Sequence, residues 1–403
     1  MAITDNKQGV WLLDQFYNKV NKGSIWNYSG TKALFAWGMN EYGQLGQNNV
    51  VRYSSPVQMG SDGTWSRMLT KYNHASQDIG IIATKNDGTL WSWGNNNDGQ
   101  LGLNQAQAQV AAKSSPTQIG SGTDWGGGGG TGLYGKMAAL KTDGSLWMWG
   151  SNTYSGGLGL NGPTGASGRI SSPTQLPGTW KTGRDTITGF TDGFLAINGA
   201  GQLMAWGRNW YGSAGYNLGH GTRRSSPVQI ASGTWSTVCD GGYHHCGAVN
   251  TDGQLWTWGK NDYGGLGHSN TTNYSSPKQV GSGTNWHKCS ITEHNTIASK
   301  TDGTLWSFGR NEFGELGHNN TTSYSDPQQI PGTNWDINNF QIGETTRAMK
   351  TDGSLWVFGR QTEGQFGLNM THGAHRSSPT QVPGTDWSSV DGMYRSTFAI
   401  KNI

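Results

Sequence analysis

Cys239, His244, His245 and Cys246 crowd into one short stretch, and thiolates and imidazoles are the groups that hold zinc. Their spacing fits no zinc motif, and the matching stretches of the repeats described below lack them, so no metal site is expected. Candidates for acid–base work are Asp143, Asp252, Asp302 and Asp352, each in a Thr-Asp-Gly triplet. A tight hairpin turn, with its positive φ and local hydrogen bonds, accounts for both the aspartate and the glycine. Residues 126–130 are all glycine, but no Lys-Ser/Thr follows, so this is not a phosphate loop and reads as a flexible connection. No nucleophile, base and orienting acid come together. The expectation is no catalytic residue, no cofactor and no enzymatic activity.

Binding is the remaining chemistry. The loops GHSNTTNY and GHNNTTSY place His268, Asn270 and Tyr274, then His318, Asn320 and Tyr324, in the same order. Hydrogen-bonding groups beside an aromatic ring suit a polar surface such as a glycan, while solvated loops of no special function have the same composition. Trp210 and His372, in corresponding loops of other repeats, are further binding candidates.

Those loops interrupt a repeat. A Leu-aromatic-x-aromatic-Gly element ends at Gly38, Gly94, Gly150, Gly207, Gly259, Gly309 and Gly359, with Met204 in the first aromatic position of the fourth copy. Each copy is followed by a Gly-x-Leu-Gly-like turn, a Ser-Ser-Pro-x-Gln-like segment, a lone tryptophan and a short apolar run ending near Thr-Asp-Gly. About four strand signals per repeat of roughly fifty residues predict the blades of an all-β, seven-bladed β-propeller. The chain begins its repeats with Leu-Phe-Ala-Trp-Gly and ends on Ser-Thr-Phe-Ala-Ile-Lys-Asn-Ile, one strand short. The N-terminal strand is expected to supply the missing one and close the ring, which leaves no open end.

The aromatic residues fall into place within that ring. Trp91 and Trp93 are two apart in a strand and share a face. Their counterparts in every repeat stay large and apolar, as packing between blades demands; a ligand platform needs them in only one or two blades. Burial of each ring contributes roughly 2–3 kcal/mol.

Composition narrows the function further. The 403 residues include 65 glycines and 20 tryptophans, only 13% are charged, and the formal net charge is +3. The excess charge is spread along the chain, so no nucleic-acid footprint is expected. No run is long and apolar enough for membrane insertion, and no signal-peptide pattern opens the chain, which points to synthesis in a cytoplasm. Three cysteines suggest no disulfide framework. Cys239 and Cys246 are near enough in sequence to pair, but free thiols are the plainer expectation.

Together, Leu-Trp-x-Trp-Gly, Asn-x-x-Gly-Gln-Leu-Gly, Ser-Ser-Pro-x-Gln and Thr-Asp-Gly resemble the regulator of chromosome condensation repeat family over residues 34–403. The family's Gly-x-x-His-x-x-Ala signature matches best from Gly242 through His245 to Ala248, with Asn295, Thr345 or Ser396 replacing the histidine in other copies. The resemblance implies a seven-bladed propeller closed by its two ends, and its founding member exchanges nucleotide on a small GTPase and binds chromatin. A cytoplasmic regulator of a GTPase or other partner is therefore one expectation. Against it, no long insertion within a blade and no basic N-terminal tail is present.

Residues 1–33 differ in character. Val10, Leu13, Tyr17 and Val20 have helical spacing, with Gly23 placed to end the helix. This opening is similar to the starts of tail-associated virion proteins of marine bacteriophages. The main expectation is a phage virion component, made in the host cytoplasm. It docks to other virion proteins through Val10, Trp11, Leu13, Tyr17 and Trp26, and faces a host surface glycan or protein with its propeller loops.

Overall fold

Twenty-eight strands form seven four-stranded antiparallel sheets in the computed structural model, which describes residues 32–70, 80–105, 109–132, 135–152, 156–162 and 168–403. Candidate docking residues Val10, Trp11, Leu13, Tyr17 and Trp26 lie outside the described residues. So do residues 71–79 and 163–167. Blades one to six span 65–118, 125–176, 187–229, 235–279, 286–329 and 335–382.

In each of these blades the lone-tryptophan strand comes first, followed by the Ala-x-Lys-type strand, the Leu-aromatic-x-aromatic-Gly strand and the Ser-Ser-Pro strand. The first strands of neighbouring blades touch around a central channel. The Ser-Ser-Pro strand is the half-exposed outer edge, where a proline costs no ladder bond. This order corrects the expected closure. The seventh sheet runs from Tyr53–Gln58 through Lys32–Gly38 and Ser396–Asn402 to Trp387–Met393, so each end of the chain contributes two strands rather than three and one. Lys32–Gly38 pairs with Ser396–Asn402 along its whole length.

Glycine and serine motifs meet between blades. A Cβ on Gly264, where φ is +77°, would lie 2.5 Å from Ser325 Cα of the next blade; one on Gly267 would lie 2.7 Å from the Phe308 ring. Only glycine allows that approach, and the same pairing recurs around the ring, as in Gly43 with Ser114 and Gly314 with Ser377.

The aromatic positions are core, as expected. Trp37, Trp93, Trp149, Trp206 and Trp258 have no exposed surface. The first aromatic is half-buried beneath a lysine, as in Trp306, with Lys300 Nζ 4.0 Å from the ring centroid. The buried indoles also fasten neighbouring blades. Trp93, Trp149 and Trp258 donate Nε1–H to the carbonyls of Gln44, Gln100 and Ser213 in the preceding blade, at 2.8–2.9 Å. Phe308 and Phe358 have no N–H. There the adjacent strand supplies a hydroxyl: Thr296 to Gly265 O at 2.8 Å and Thr346 to Glu315 O at 2.6 Å. At the closure both donors meet on Gln365 O, Trp37 at 3.0 Å and Thr397 at 2.8 Å.

Two expectations fail here. Residues 126–130 are not a flexible connection but part of strand Trp125–Gly132, innermost in blade two. A Cβ on Gly127 or Gly128 would come within 2.2 Å of a neighbouring carbonyl oxygen, so the glycines admit close packing. The cysteines are not all free: Cys239 and Cys289 form a disulfide with a Cα–Cα distance of 4.7 Å, and only Cys246 is a free, buried thiol. The two partners lie fifty residues apart, at the innermost strands of the adjacent blades four and five. Pairing within one repeat was the wrong place to look.

The aspartates behave as turn residues. Asp143, Asp302 and Asp352 accept the N–H two residues on, at 2.8–3.0 Å, and hydrogen bonds from the following Ser or Thr hold their carboxyls below the usual range. In the Asp252 turn, Asn250 accepts the corresponding bonds instead.

Candidate functional site: the loop face

The two ends of the ring are built differently. Connections from first to second strand and from third to fourth strand emerge on one face; the short hairpins and the links between blades form the other. The glycine ending each third strand delivers the next residue to the loop face. In blades three to six that residue is Arg208, Lys260, Arg310 and Arg360, and three positions later stand Tyr211, Tyr263, Phe313 and Glu363.

These residues form a staircase. Lys260 lies over Tyr211 of the preceding blade at 5.3 Å, Arg310 over Tyr263 at 5.4 Å and Arg360 over Phe313 at 4.7 Å. The cations also have acidic neighbours: Lys260 pairs with Asp262 at 2.8 Å, Arg310 with Glu312, and Arg360 with Glu344 at 2.6 Å. Arg395 joins Glu344 and Glu363, and Arg52 joins Glu41 and Glu363, which extends the network into blade seven. His244 and His294 edge Tyr211 and Tyr263 at 5.1 and 4.5 Å. Burial, then the nearby Lys260 charge, lowers His244 to a pKa of about 4, so the ring is neutral at pH 7.

A cavity of about 140 Å³ between blades five and six is lined by His294, Arg310, Phe313, Glu315, Glu344 and Arg360 among others. Glu315 stands where other repeats have Gln44, Gln100 and Gln365, and burial raises its pKa. Its Oε2 accepts the Phe313 N–H at 2.7 Å, just as the glutamines accept through Oε1.

The candidates chosen from sequence sit on or beside this face, with their polar atoms turned toward their own loops. His268 Nε2 lies 3.1 Å from Thr257 Oγ1, while Asn270 donates to Tyr274 Oη at 3.2 Å and accepts the Thr272 N–H at 2.9 Å. His318, Asn320 and Tyr324 repeat this arrangement. Trp210 packs beneath the Arg208 guanidinium at 3.6 Å, and His372 is exposed.

The four residues of the imagined metal site do not converge. Cys239 is in the disulfide; His245 is buried, its Nε2 3.5 Å from Thr296 Oγ1; and Cys246 packs in the apolar core of blades three and four. Among the described residues no group of three or more His, Cys, Asp or Glu could hold a metal ion.

Sequence reading missed the staircase, although its signal was available as a basic residue after the closing glycine in four successive repeats. It also missed the charges in the channel. Arg184 reaches across from blade three to donate to Asn339 Oδ1 at 2.7 Å and to Asp391 at 3.3 Å, while Lys288 meets Asp185 at 3.3 Å and Asp240 at 3.7 Å. These compensated charges plug the ring.

A circular set of four-stranded blades, closed by both chain ends and carrying its variable loops on one face, defines a seven-bladed β-propeller. The regulator of chromosome condensation (RCC1) repeat model matches residues 33–68, 87–124, 252–298 and 302–337 of it.

The Arabidopsis thaliana ultraviolet-B receptor UVR8 is 25% identical over 254 residues, 59% of this chain and 51% of the receptor. The Arabidopsis mitochondrial RCC1 domain-containing protein RUG3 is 27% identical over 314 residues, 60% of this chain and 69% of that protein. The match to human E3 ubiquitin-protein ligase HERC2, 27% identical over 243 residues, spans 59% of this chain but only 5% of the ligase. The chain thus spans about half of UVR8 and a small part of HERC2. Among solved structures, Prp20p of Saccharomyces cerevisiae superposes with a TM-score of 0.75 at 17% identity, covering 93% of this chain and 92% of Prp20p. Human WBSCR16 gives 0.76 at 18% identity, covering 92% and 99%. No helix among the described residues is long and apolar enough to cross a membrane.

Proposed function

We propose that this propeller acts by binding a protein partner on its loop face and performs no chemistry of its own. One observation carries the reading: Arg208, Lys260, Arg310 and Arg360 with Trp210, Tyr211, Tyr263 and Phe313 are gathered on the face where the variable loops emerge. Arginine and large aromatics supply most of the energy of protein interfaces, and loops on a rigid scaffold commonly carry recognition. The opposite face offers short turns that hold themselves together. The test is hydrogen exchange on the complex with a copurified partner. Protection is expected in the third-to-fourth-strand loops of blades three to six; protection confined to Thr-Asp-Gly hairpins refutes the reading.

Two finer readings concern the partner. The resemblance of residues 1–33 to virion openings supports a phage component anchored by that segment, in which the bound surface belongs to a host or a neighbouring virion protein. Deleting residues 1–31 should then abolish incorporation into particles and leave the ring folded; normal incorporation rules it out. The repeat family supports a regulator of a GTPase, since the Prp20p structure was described with its binding to Gsp1p and histones. Accelerated nucleotide release from a copurified GTPase is the expected result there, and an unchanged release rate counts against it.

A further inference from the structure

We infer that blade three carries a docking site for an acidic segment of a protein partner, with Arg208 and Arg223 receiving its carboxylates. The inference rests on the loop-face reading above and names the chemistry of the partner.

The argument starts from a cost. Arg208 and Arg223 are direct partners across two neighbouring antiparallel strands and share one face of the sheet, whereas Arg224, opposite Gly207 one step along, belongs to the other face. Like charges placed opposite one another destabilise a sheet. Elsewhere on this face Lys260, Arg310, Arg360, Arg395 and Arg52 all lie in ion pairs, while Arg376 donates to the His375 carbonyl. Among the described residues no carboxylate lies within ion-pair distance of Arg208, Arg223 or Arg224; the buried Nε without an acceptor is common to Arg208, Arg310 and Arg360.

A single residue difference explains much of this. The position of Trp210 is acidic in three other repeats, as Glu41, Asp262 and Glu312, and is Asn97, Thr153 or Thr362 in the rest; here it is tryptophan. Arg208 therefore stacks on the indole instead of folding back onto an acid. Stacking fixes the guanidinium plane and leaves its N–H edge available for a bidentate carboxylate.

The surroundings suit a peptide. Tyr211, next to Trp210, is 41% exposed and has a φ of +50°, unusual for an aromatic residue. The His244 and His220 rings lie 5.1 and 4.9 Å from that ring. A segment carrying two carboxylates and one apolar side chain matches a pair of arginines and an exposed tyrosine. Nucleic acid matches poorly, because Asp262, Glu312, Glu344 and Glu363 stand along the rest of the same face and would repel a phosphate track.

The test is fluorescence anisotropy with the full-length protein and a fluorescein-labelled hexaglutamate peptide, with oligothymidylate of equal charge as competitor. Wild-type protein is expected to bind the peptide with an affinity that falls with salt. Replacement of both residues (Arg208→Gln, Arg223→Gln) should weaken binding roughly tenfold or more. Arg223→Glu, a single change at an exposed position, should do much of the same without risk to folding. Arg376→Gln in blade six, opposite Gly359 as Arg224 is opposite Gly207, should leave affinity within about twofold, the range expected of an isolated rim charge. Peptide binding that is absent, or indifferent to the blade-three changes, overturns the inference, as does tighter binding of oligothymidylate through the same arginines. If the peptide fails while hydrogen exchange still maps a partner to the loop face, only the acidic chemistry falls; protection on the opposite face removes both readings.

Discussion

Substitution of Trp258 by Phe tests the fastening between blades most directly. The indole N–H donates to Ser213 O at 2.9 Å, the only donor to that buried carbonyl among the hydrogen bonds described, and the ring has no exposed surface. Phe keeps most of the apolar contact, as Phe308 and Phe358 show at equivalent positions. What is lost is the donor, and a buried carbonyl without a partner costs about 1–3 kcal/mol. Trp37→Phe removes the corresponding bond at the closure, yet Thr397 still donates to the same carbonyl at 2.8 Å. That change should cost only about 0.5–1 kcal/mol. Cys246 pairs with Trp258 as Thr296 pairs with Phe308. Adding Cys246→Thr to Trp258→Phe should therefore restore the hydroxyl donor and recover most of the loss. Equilibrium urea unfolding of the three variants measures it. Equal costs for Trp258→Phe and Trp37→Phe, or a double variant no more stable than Trp258→Phe, would refute the donor-exchange argument.

Further outcomes are expected. Reduction of Cys239–Cys289, or its replacement by serines, should lower stability by up to about 4 kcal/mol, the loop-closure value for its fifty-residue separation; an unchanged urea midpoint under reductant contradicts this. His245 is neutral in the fold because burial lowers its pKa to about 3, whereas the unfolded chain protonates it near 6.5. Below about pH 6.5 the unfolded state binds the extra proton, so stability should fall from there toward pH 3, and His245→Asn should flatten that part of the stability-versus-pH curve. Glu315 has the opposite sign: its raised pKa favours the protonated acid in the fold, so stability is lost as pH rises through that pKa, and Glu315→Gln should remove the loss. Gly314→Ala should be among the most destabilising single changes, since its Cβ would meet Ser377 Cα at 2.3 Å with φ at +81°; a midpoint within experimental error of wild type would show that the two blades can separate freely.

The architecture was legible because each repeat announces its strands, turn and closing glycine in order. The Ser-Ser-Pro segment was assigned to the wrong side of its repeat because a loop separates it from its hairpin partner, and proline masks an edge strand. The glycines at 126–130 were misread for a related reason: composition reports flexibility, whereas here a neighbouring carbonyl excludes every larger residue. The Cys239–Cys289 bond and the Lys260–Tyr211 contact each join two repeats, and such contacts become visible only when one repeat is laid beside the next. Arg208 over Trp210 was the exception. The two residues are only two apart in sequence, but the tryptophan matters through the acid that Glu41, Asp262 and Glu312 supply at its position in three other repeats.

The closing sheet has a consequence for how the molecule is made. Strand Lys32–Gly38 finds its long-range partner only when residues 396–402 have been synthesised. At ordinary elongation rates that leaves a bare hydrogen-bonding edge on the nascent chain for on the order of tens of seconds. During that interval the growing arc resembles a zip with one side missing, open to any stray strand. A circularly permuted gene beginning in the link between blades one and two would shorten the wait to the making of a single sheet, and should raise the yield of folded protein.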